Sequence, residues 1–447
     1  MNLNEIDTTS RDNIKKNGEV FTPFATVEQM LNLIPDAVWA DPEYTFFEPT
    51  SGNGQFLLKI LDKRIKHGID IETALNTMFG MEKNEELVII SHARIFEMIG
   101  EDNTTLYESI VKNNIILVED SLEVISNYKK KDKVAVIGNP PYHLNDGGGN
   151  GSSAKPLYHL FVESIIDNIC PDYFSMIIPS RWMVGGKGLD DHRERMMNDR
   201  RMKKIVHFPG VNDVFKNVMI SGGVNYFLWE KAYSGECEFV TGNTTTRRFL
   251  NTHDIILQDY NAFSLLEKVR EKSSNWISDK CLSRKPFGIC TNFSDYKETG
   301  VKCITIRRKE KFVDVNSFTD KCGIIRKWKI CTHASNGAAQ IDTGTGKRVI
   351  AYAFVCEPGS ICNETYLVVN YFDNLSEANN FIAYMKTKFF RFMLGLRVLT
   401  QHINKKKFSW VPDLGDYSTA WTDKELYNHF GLTRQEIAYI ESKIKAL

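Results

Sequence analysis

Asn139-Pro140-Pro141-Tyr142, directly after the apolar run 134–137, is the stretch of this 447-residue chain whose residue types point most directly to chemistry. An exocyclic amino group on an aromatic ring is a poor nucleophile, because its lone pair is delocalised into the ring. Two oxygen acceptors, the Asn139 side chain and the Pro140 carbonyl, can bind both amino hydrogens and favour a tetrahedral nitrogen. The prolines Pro140 and Pro141 fix the backbone that aims those acceptors. The Tyr142 ring offers a face on which a base can stack, worth about 1–3 kcal/mol. Taken alone, the same four residues also describe a proline-rich turn with an incidental tyrosine.

Upstream, Glu48-Pro49-Thr50-Ser51-Gly52-Asn53-Gly54-Gln55-Phe56 has the composition of a strand-to-helix junction. Gly52 and Gly54 allow a tight turn and close approach to a ligand, and Asn53 is a candidate cap for the following helix. A phosphate cradle would want Lys after the glycines. None is present, and Glu48 suits a cationic ammonium instead, so an amino-acid-bearing cofactor fits better. Glu82, followed by Lys83, can accept hydrogen bonds from two ribose hydroxyls. Asp120, followed by Ser121, can accept from an adenine amino group. Single acids of this kind are usually solvated loop residues; their placement after successive strands gives them weight.

These side chains need a scaffold that delivers them to one place. Residues 45–230 alternate apolar strand-like runs (45–47, 78–81, 115–118, 134–137, 174–178) with segments of helical spacing (55–64, 85–99, 158–169). The alternation predicts an α/β fold with a mostly parallel sheet and helices on both faces. Ligands of such sheets bind at the carboxyl ends of the strands, where every motif above falls. Beyond about residue 235 the alternation is lost, apart from a helix predicted over 376–399 and a helical tail over 434–445. The expected domains are therefore 1–235, catalytic, and 236–447. The Gly/Ser-rich stretch 147–153 reads as a mobile loop.

The motif order resembles the γ-type amino-methyltransferases of restriction–modification systems, in which cofactor motifs precede the catalytic one and target recognition comes last. The likeness covers residues 17–230 well and 280–445 loosely. Gly18-Glu19-Val20-Phe21-Thr22-Pro23 matches the N-terminal cofactor motif, which implies that Phe21, Thr22 and Pro23 lie at the methionine end of S-adenosylmethionine. Glu48 to Phe56 matches the Gly-rich motif, including Pro49, Thr50, Gly52 and Gly54. Glu82 with Lys83 and Asp120 with Ser121 match the ribose and adenine contacts, and 139–142 matches the catalytic tetrapeptide. The segments 177–182 and 185–188 are similar too, and Phe215 matches the position whose ring packs on a flipped base. The stretch between Glu82 and Asp120 is longer than in compact members. The resemblance implies a Rossmann-like methyltransferase with a C-terminal α+β target-recognition domain, acting on adenine N6 of double-stranded DNA. An RNA adenine methyltransferase and a catalytically inactive DNA-binding relative are the alternatives.

Charge agrees with a polyanion partner. Residues 231–447 hold 32 Lys and Arg against 23 Asp and Glu; subtraction from 56 and 56 leaves 24 against 33 for residues 1–230. Within 281–410 the count is 21 against 10, a net +11. Arg307-Arg308-Lys309, Arg326 and Lys327 with Lys329, and Lys405-Lys406-Lys407 are candidate phosphate contacts, with solvated loops the competing description. The segments 284–288 and 408–412 also resemble target-recognition regions. The nine cysteines lack Cys-x-x-Cys or zinc-finger spacing and read as reduced thiols; no metal is expected. No apolar run reaches the ~18–20 residues that span a membrane, and no secretory signal opens the chain. The expected setting is the cytoplasm, bacterial or phage-encoded. A cognate restriction endonuclease, where one exists, is expected to be a separate chain.

Overall fold

The computed structural model describes residues 20–128, 132–143, 155–215, 220, 222–335, 346–350, 352–398 and 402–447. Gly18, Glu19, the stretch 147–153 and the end of the helix expected over 376–399 lie outside the described residues. The chain divides into two compact units, Met1–Gln258 and Asp259–Leu447.

The first unit is built on nine strands: β1 (Thr45–Glu48), β2 (Met78–Glu82), β3 (Ile115–Leu117), β4 (Val134–Gly138), β5 (Tyr173–Pro179), β6 (Met202–Phe208), β7 (Val224–Glu230), β8 (Cys237–Thr241) and β9 (Thr244–Arg248). Their spatial order is β3-β2-β1-β4-β5-β7-β6-β8-β9. The strands from β3 to β5 are all parallel, and β7 enters antiparallel to both β5 and β6. The parallel run from β3 to β5 is the mostly parallel sheet expected from the sequence.

Alternation within the strands explains why the sheet is covered on both sides. Phe46, Ala135 and Ile137 join one apolar core with Leu57, Ile60 and Ile95. Phe47, Val134 and Val136 join a second with Phe161, Val162 and Phe174. Successive side chains of a strand point to opposite faces, so continuous apolar runs mark strands buried on both. Each fully buried side chain of this size is worth about 1.5–3 kcal/mol. The helices Gln55–Lys66, Glu85–Ile99 and Tyr158–Ser164 begin close to where helical spacing begins in the sequence.

Strands β8 and β9 carry the first unit past the expected boundary of 235. β8 pairs parallel to β6, and β9 pairs back on β8. The ladder ties these residues to the catalytic sheet, and contacts assign everything through Gln258 to it.

The second unit mixes small sheets with helices. β10 (Val301–Thr305) pairs antiparallel with β11 (Lys309–Val313) and parallel with β14 (Ser360–Cys362). β12 (Trp328–His333) lies between β13 (Ala353–Cys356) and β15 (Tyr366–Phe372), antiparallel to both. The helix expected over 376–399 is two, Leu375–Lys386 and Lys388–Gly395. Thr387 divides them: its backbone is extended, and its hydroxyl oxygen accepts the Phe390 N–H as an N-cap. Cys303, Cys331, Cys356 and Cys362 are buried in one core as free thiols.

Candidate active site

The strand order reverses between β1 and β4, and the chain leaves both strands at their carboxyl ends beside one cavity of about 920 Å³. Phe21 and Thr22 line it from the N-terminal segment, Glu48 from the end of β1 and Thr50 to Asn53 from the loop after it, Glu82 to Glu85 from the end of β2, Glu119 to Leu122 from the loop after β3, and Asn139 to His143 from the loop after β4. Helix Tyr158–Ser164 and its lead-in add Leu157, Leu160 and Phe161.

Local backbone forces explain the positions. Gly54 sits at φ 80° as the N-cap residue of helix Gln55–Lys66 and has no side chain with which to cap it. The N-cap position is thus Gly54, in a left-handed turn, one residue after the Asn53 expected from the sequence. A Cβ at Gly54 would lie 2.2 Å from Ser91 Oγ and 3.3 Å from Ser91 Cα. Helix Glu85–Ile99 thus approaches the turn so closely that only glycine fits. Pro23 is the residue before helix Phe24–Leu31, and Pro49 is buried; both brace the walls rather than line them.

Asn139 is held from two sides. Its Nδ2 donates to the Val20 carbonyl at 2.8 Å and to Thr22 Oγ1 at 3.1 Å. Its own carbonyl accepts from Thr50 Oγ1 at 3.1 Å. The Val20 carbonyl can only accept, which fixes the amide orientation. Oδ1 is left buried, with no partner among the described residues. Tyr142 also lines the cavity; it is 7% exposed and its ring meets Tyr158 edge-on with centroids 6.4 Å apart.

Glu82 is fixed as firmly. Oε2 accepts the Gly52 N–H at 2.8 Å, and Oε1 accepts those of Lys83 and Asn84 at 2.7 and 2.9 Å. A carboxylate has about four lone-pair sites and three are used, so one remains for a ligand's hydroxyl. Asp120 accepts the Leu122 N–H at 2.8 Å, capping helix Ser121–Ser126. The long excursion between them runs through helix Glu85–Ile99 and further turns before β3, and both acids reach the same cavity. Glu48 is 1% exposed, and its Oε2 has no partner among the described residues. Burial, and then the charge of Glu82, push its carboxyl well above the ordinary carboxylate range.

This donor set bears on S-adenosylmethionine, which the family resemblance implies. Five acids line the cavity (Glu48, Glu82, Glu85, Glu119 and Asp120) and Lys83 is the lining lysine or arginine. Such a wall favours a cationic ligand over a phosphate, and the partnerless Glu48 oxygen is suited to an ammonium. Apolar Phe21, Phe56 and Leu87 supply contact area for flat rings. The residues present fit the group.

Two expected residues are placed otherwise. Phe215 is 2% exposed in the core with Val27, Met30 and Val214, and does not line the cavity. In this arrangement its ring packs into the protein rather than toward a base. Lys329, expected to meet phosphate, is fully buried. Its Nζ donates to the carbonyls of Ile325, Lys327 and Glu357 at 3.1, 2.7 and 2.9 Å. Of the other basic candidates, Arg307, Arg308, Lys309, Arg326, Lys405 and Lys406 are exposed, Lys407 is half-buried, and Lys327 is paired with Asp373. Sequence reasoning missed Asn84, Leu157, Leu160 and Phe161, and it named Ser51 only as part of the Gly-rich motif. The apolar spacing at 157, 160 and 161 was the available signal, and it read as core.

Among the described residues, no group of three or more His, Cys, Asp or Glu could hold a metal ion, and no helix is long and apolar enough to cross a membrane.

Residues 76–215 match the family model described as the Eco57I restriction-modification methylase. A curated relative from Mycoplasma pneumoniae, described as an uncharacterized adenine-specific methylase, is 28% identical over an alignment of 291 positions, which covers 49% of this chain and 69% of the relative. Among solved structures, the methyltransferase subunit of a type I restriction-modification system from Streptococcus thermophilus is similar, with a TM-score of 0.35 and 15% identity over 55% of this chain and 53% of that one. The type IIG restriction endonuclease BpuSI gives a TM-score of 0.43 and 11% identity over 96% of this chain and 67% of that one. The chain spans about half the length of the type I subunits it matches.

Proposed function

We propose that this chain, an adenine-specific DNA methyltransferase of the restriction-modification type, uses S-adenosylmethionine to methylate the N6 amino group of an adenine turned out of duplex DNA. The observation that carries the reading is the partnerless Asn139 Oδ1, buried beside Pro140 just after β4, on a residue that lines the same cavity as Glu48.

When bound, S-adenosylmethionine supplies an electrophilic methyl group on a sulfonium centre. Glu48 would hold its ammonium, Glu82 a ribose hydroxyl, and Asp120 its adenine amino group, with Phe21, Thr22 and Thr50 closing the methionine end. An adenine inside a duplex cannot reach Asn139, so the target base must leave the stack at a cost of a few kcal/mol. Tyr142 then offers it a stacking surface, and Leu157, Leu160 and Phe161 supply apolar wall. Asn139 Oδ1 and the Pro140 carbonyl accept the two N6 hydrogens and draw the lone pair out of the ring. They also hold the proton that N6 must shed until water takes it. Catalysis on this reading is positioning and preorganised hydrogen bonding, with no covalent enzyme intermediate. The net positive second unit supports duplex DNA as the partner.

The test is incubation of the purified protein with duplex DNA and methyl-labelled cofactor, followed by digestion and mass spectrometry for N6-methyladenine. Asn139→Ala should lower the methylation rate at least about 100-fold while cofactor affinity, read by calorimetry, stays within a few-fold. Full activity in that variant rejects the assignment.

A further inference from the structure

β10 and β11 close as a hairpin at the Thr305–Lys309 pair, joined by Ile306, Arg307 and Arg308. Arg307 and Arg308 both lie at positive φ, 59° and 57°. For side-chain-bearing residues the left-handed region costs about 1–2 kcal/mol each, which glycine or asparagine at these positions would reduce. The strained turn is clamped from below. The Arg308 N–H donates to the Tyr366 hydroxyl oxygen at 3.0 Å, and that hydroxyl donates to the Thr305 carbonyl at 3.2 Å. Thr305 Oγ1 donates across the turn to the Lys309 carbonyl at 2.9 Å. The Arg308 guanidinium lies over the Phe354 ring, 4.7 Å from its centroid.

What the clamp projects is the informative part. Ile306 is 60% exposed at the tip. The exposed Arg307 guanidinium has neither an ion pair nor a hydrogen bond among the described residues. Of its basic neighbours along the hairpin, Lys302 pairs with Glu310 and Lys311 lies over the Tyr296 ring, while Lys309 is exposed. Backbone strain that the surroundings enforce at an exposed tip points to a role outside the fold. β14 pairs with β10 only as far as Ile304, so the turn Thr305–Lys309 is the two-stranded part of this three-stranded sheet. A tip of that width fits the major groove of duplex DNA, and an arginine there has the fork that matches guanine N7 and O6.

We propose that the hairpin tip Ile306–Arg308 reads base sequence in the major groove, with Arg307 bonded bidentately to a guanine and with Arg308 and Tyr366 as its positioning residues. The inference rests on the DNA methylase reading and adds to it the residue that sets specificity.

The full-length chain is expressed in cells without other adenine methylation, and modified adenines are mapped by long-read sequencing. The wild-type recognition sequence should contain a guanine that becomes degenerate in Arg307→Ala, with discrimination at that position falling roughly 5- to 100-fold. Arg307→Lys keeps the charge but lacks the fork, and should show the same degeneracy. Tyr366→Phe, which removes the clamp and keeps the ring, should loosen the same position. Arg307→Gly removes the side chain while relieving the turn, so a change there cannot come from failed folding. An unchanged recognition sequence in Arg307→Gly, methylated less at every site alike, would mean a phosphate contact and overturn the proposal; full discrimination in Arg307→Lys would overturn the bidentate fork. A wild-type chain that left no N6-methyladenine in DNA would instead overturn the methylase reading on which the proposal stands, which is a separate result.

Discussion

Glu48 and Asn139 share a condition that is costly in an interior: each has a buried oxygen without a partner among the described residues. A buried polar atom left unsatisfied costs about 1–3 kcal/mol, so such atoms gather where a ligand completes them. Glu48 makes this testable by pH. Its folded-state pKa is raised, by burial first and by Glu82 second. The folded protein therefore holds that proton at pH values where the unfolded chain has released it. The resulting contribution to stability is present in full below the unfolded pKa and is lost as pH rises through the folded one. Cofactor binding runs the other way, because an ammonium needs the charged carboxylate. Glu48→Gln should raise the melting temperature of the ligand-free protein at neutral pH by about 2–4 °C. The same variant should bind S-adenosylmethionine at least about tenfold more weakly, by calorimetry, with a flatter pH dependence than the parent. A variant that melts lower and binds normally would show Glu48 to be structural. The oxygen-bearing types at 48, 82, 120 and 139 were legible in the sequence because chemistry restricts them. The lining at 157, 160 and 161 was not, because apolar residues at helical spacing look the same against a core and against a ligand.

At the scale of elements, β1, β4 and β5 were readable because strands buried on both faces must be apolar throughout, whereas β3, at the sheet edge, showed the same apolar run with Ile116 and Leu117 exposed. β9 was not: Thr244-Thr245-Thr246-Arg247-Arg248 has no apolar face and owes its place to pairing with β8. The break at Thr387 was hidden for a related reason, since Phe389, Phe390 and Phe392 on the second helix are all buried and carry the apolar spacing through it. A hydroxyl cap inside an apolar run leaves almost no periodicity signal. The turn at Gly54 was visible as a glycine, yet its reason was not, since Ser91 approaches from a helix far along the chain. Gly54→Ala should therefore lower stability by two separable amounts. The φ of 80° contributes about 1 kcal/mol, and the collision with Ser91 adds about 1–3 kcal/mol. Pairing it with Ser91→Gly should remove much of the second amount and leave the first, read as denaturant midpoints in a double-mutant cycle. Equal losses in both backgrounds would mean that helix Glu85–Ile99 does not set the turn.

Across the whole molecule, the acidic N-terminal and basic C-terminal halves describe two environments: a cavity whose acids suit a cationic cofactor and a second unit whose surface suits a polyanion. Composition alone could not sort that second set, because a lysine in a sequence count is equally basic whether it faces solvent or the core. Lys406 and Lys329 separate the two cases. Lys406 is exposed on the turn Lys405–Phe408. Lys329 is buried, with its ammonium shared among three carbonyls, and burial lowers its pKa. Each phosphate contact releases condensed counterions, so DNA affinity falls with salt at a log–log slope of about −0.9 per contact. Lys406→Ala should reduce the magnitude of that slope by about 1 and leave the melting temperature within a degree or so. Lys329→Met should do the reverse. Three carbonyls lose their donor in a buried site, at a cost of about 1–3 kcal/mol, while the salt slope stays at the parental value. Fluorescence anisotropy on one duplex across a salt series, beside thermal melts of the same preparations, reads both quantities. A slope that changed in Lys329→Met with no loss of stability would place that lysine on the DNA after all, and the carbonyl cage would then be wrong.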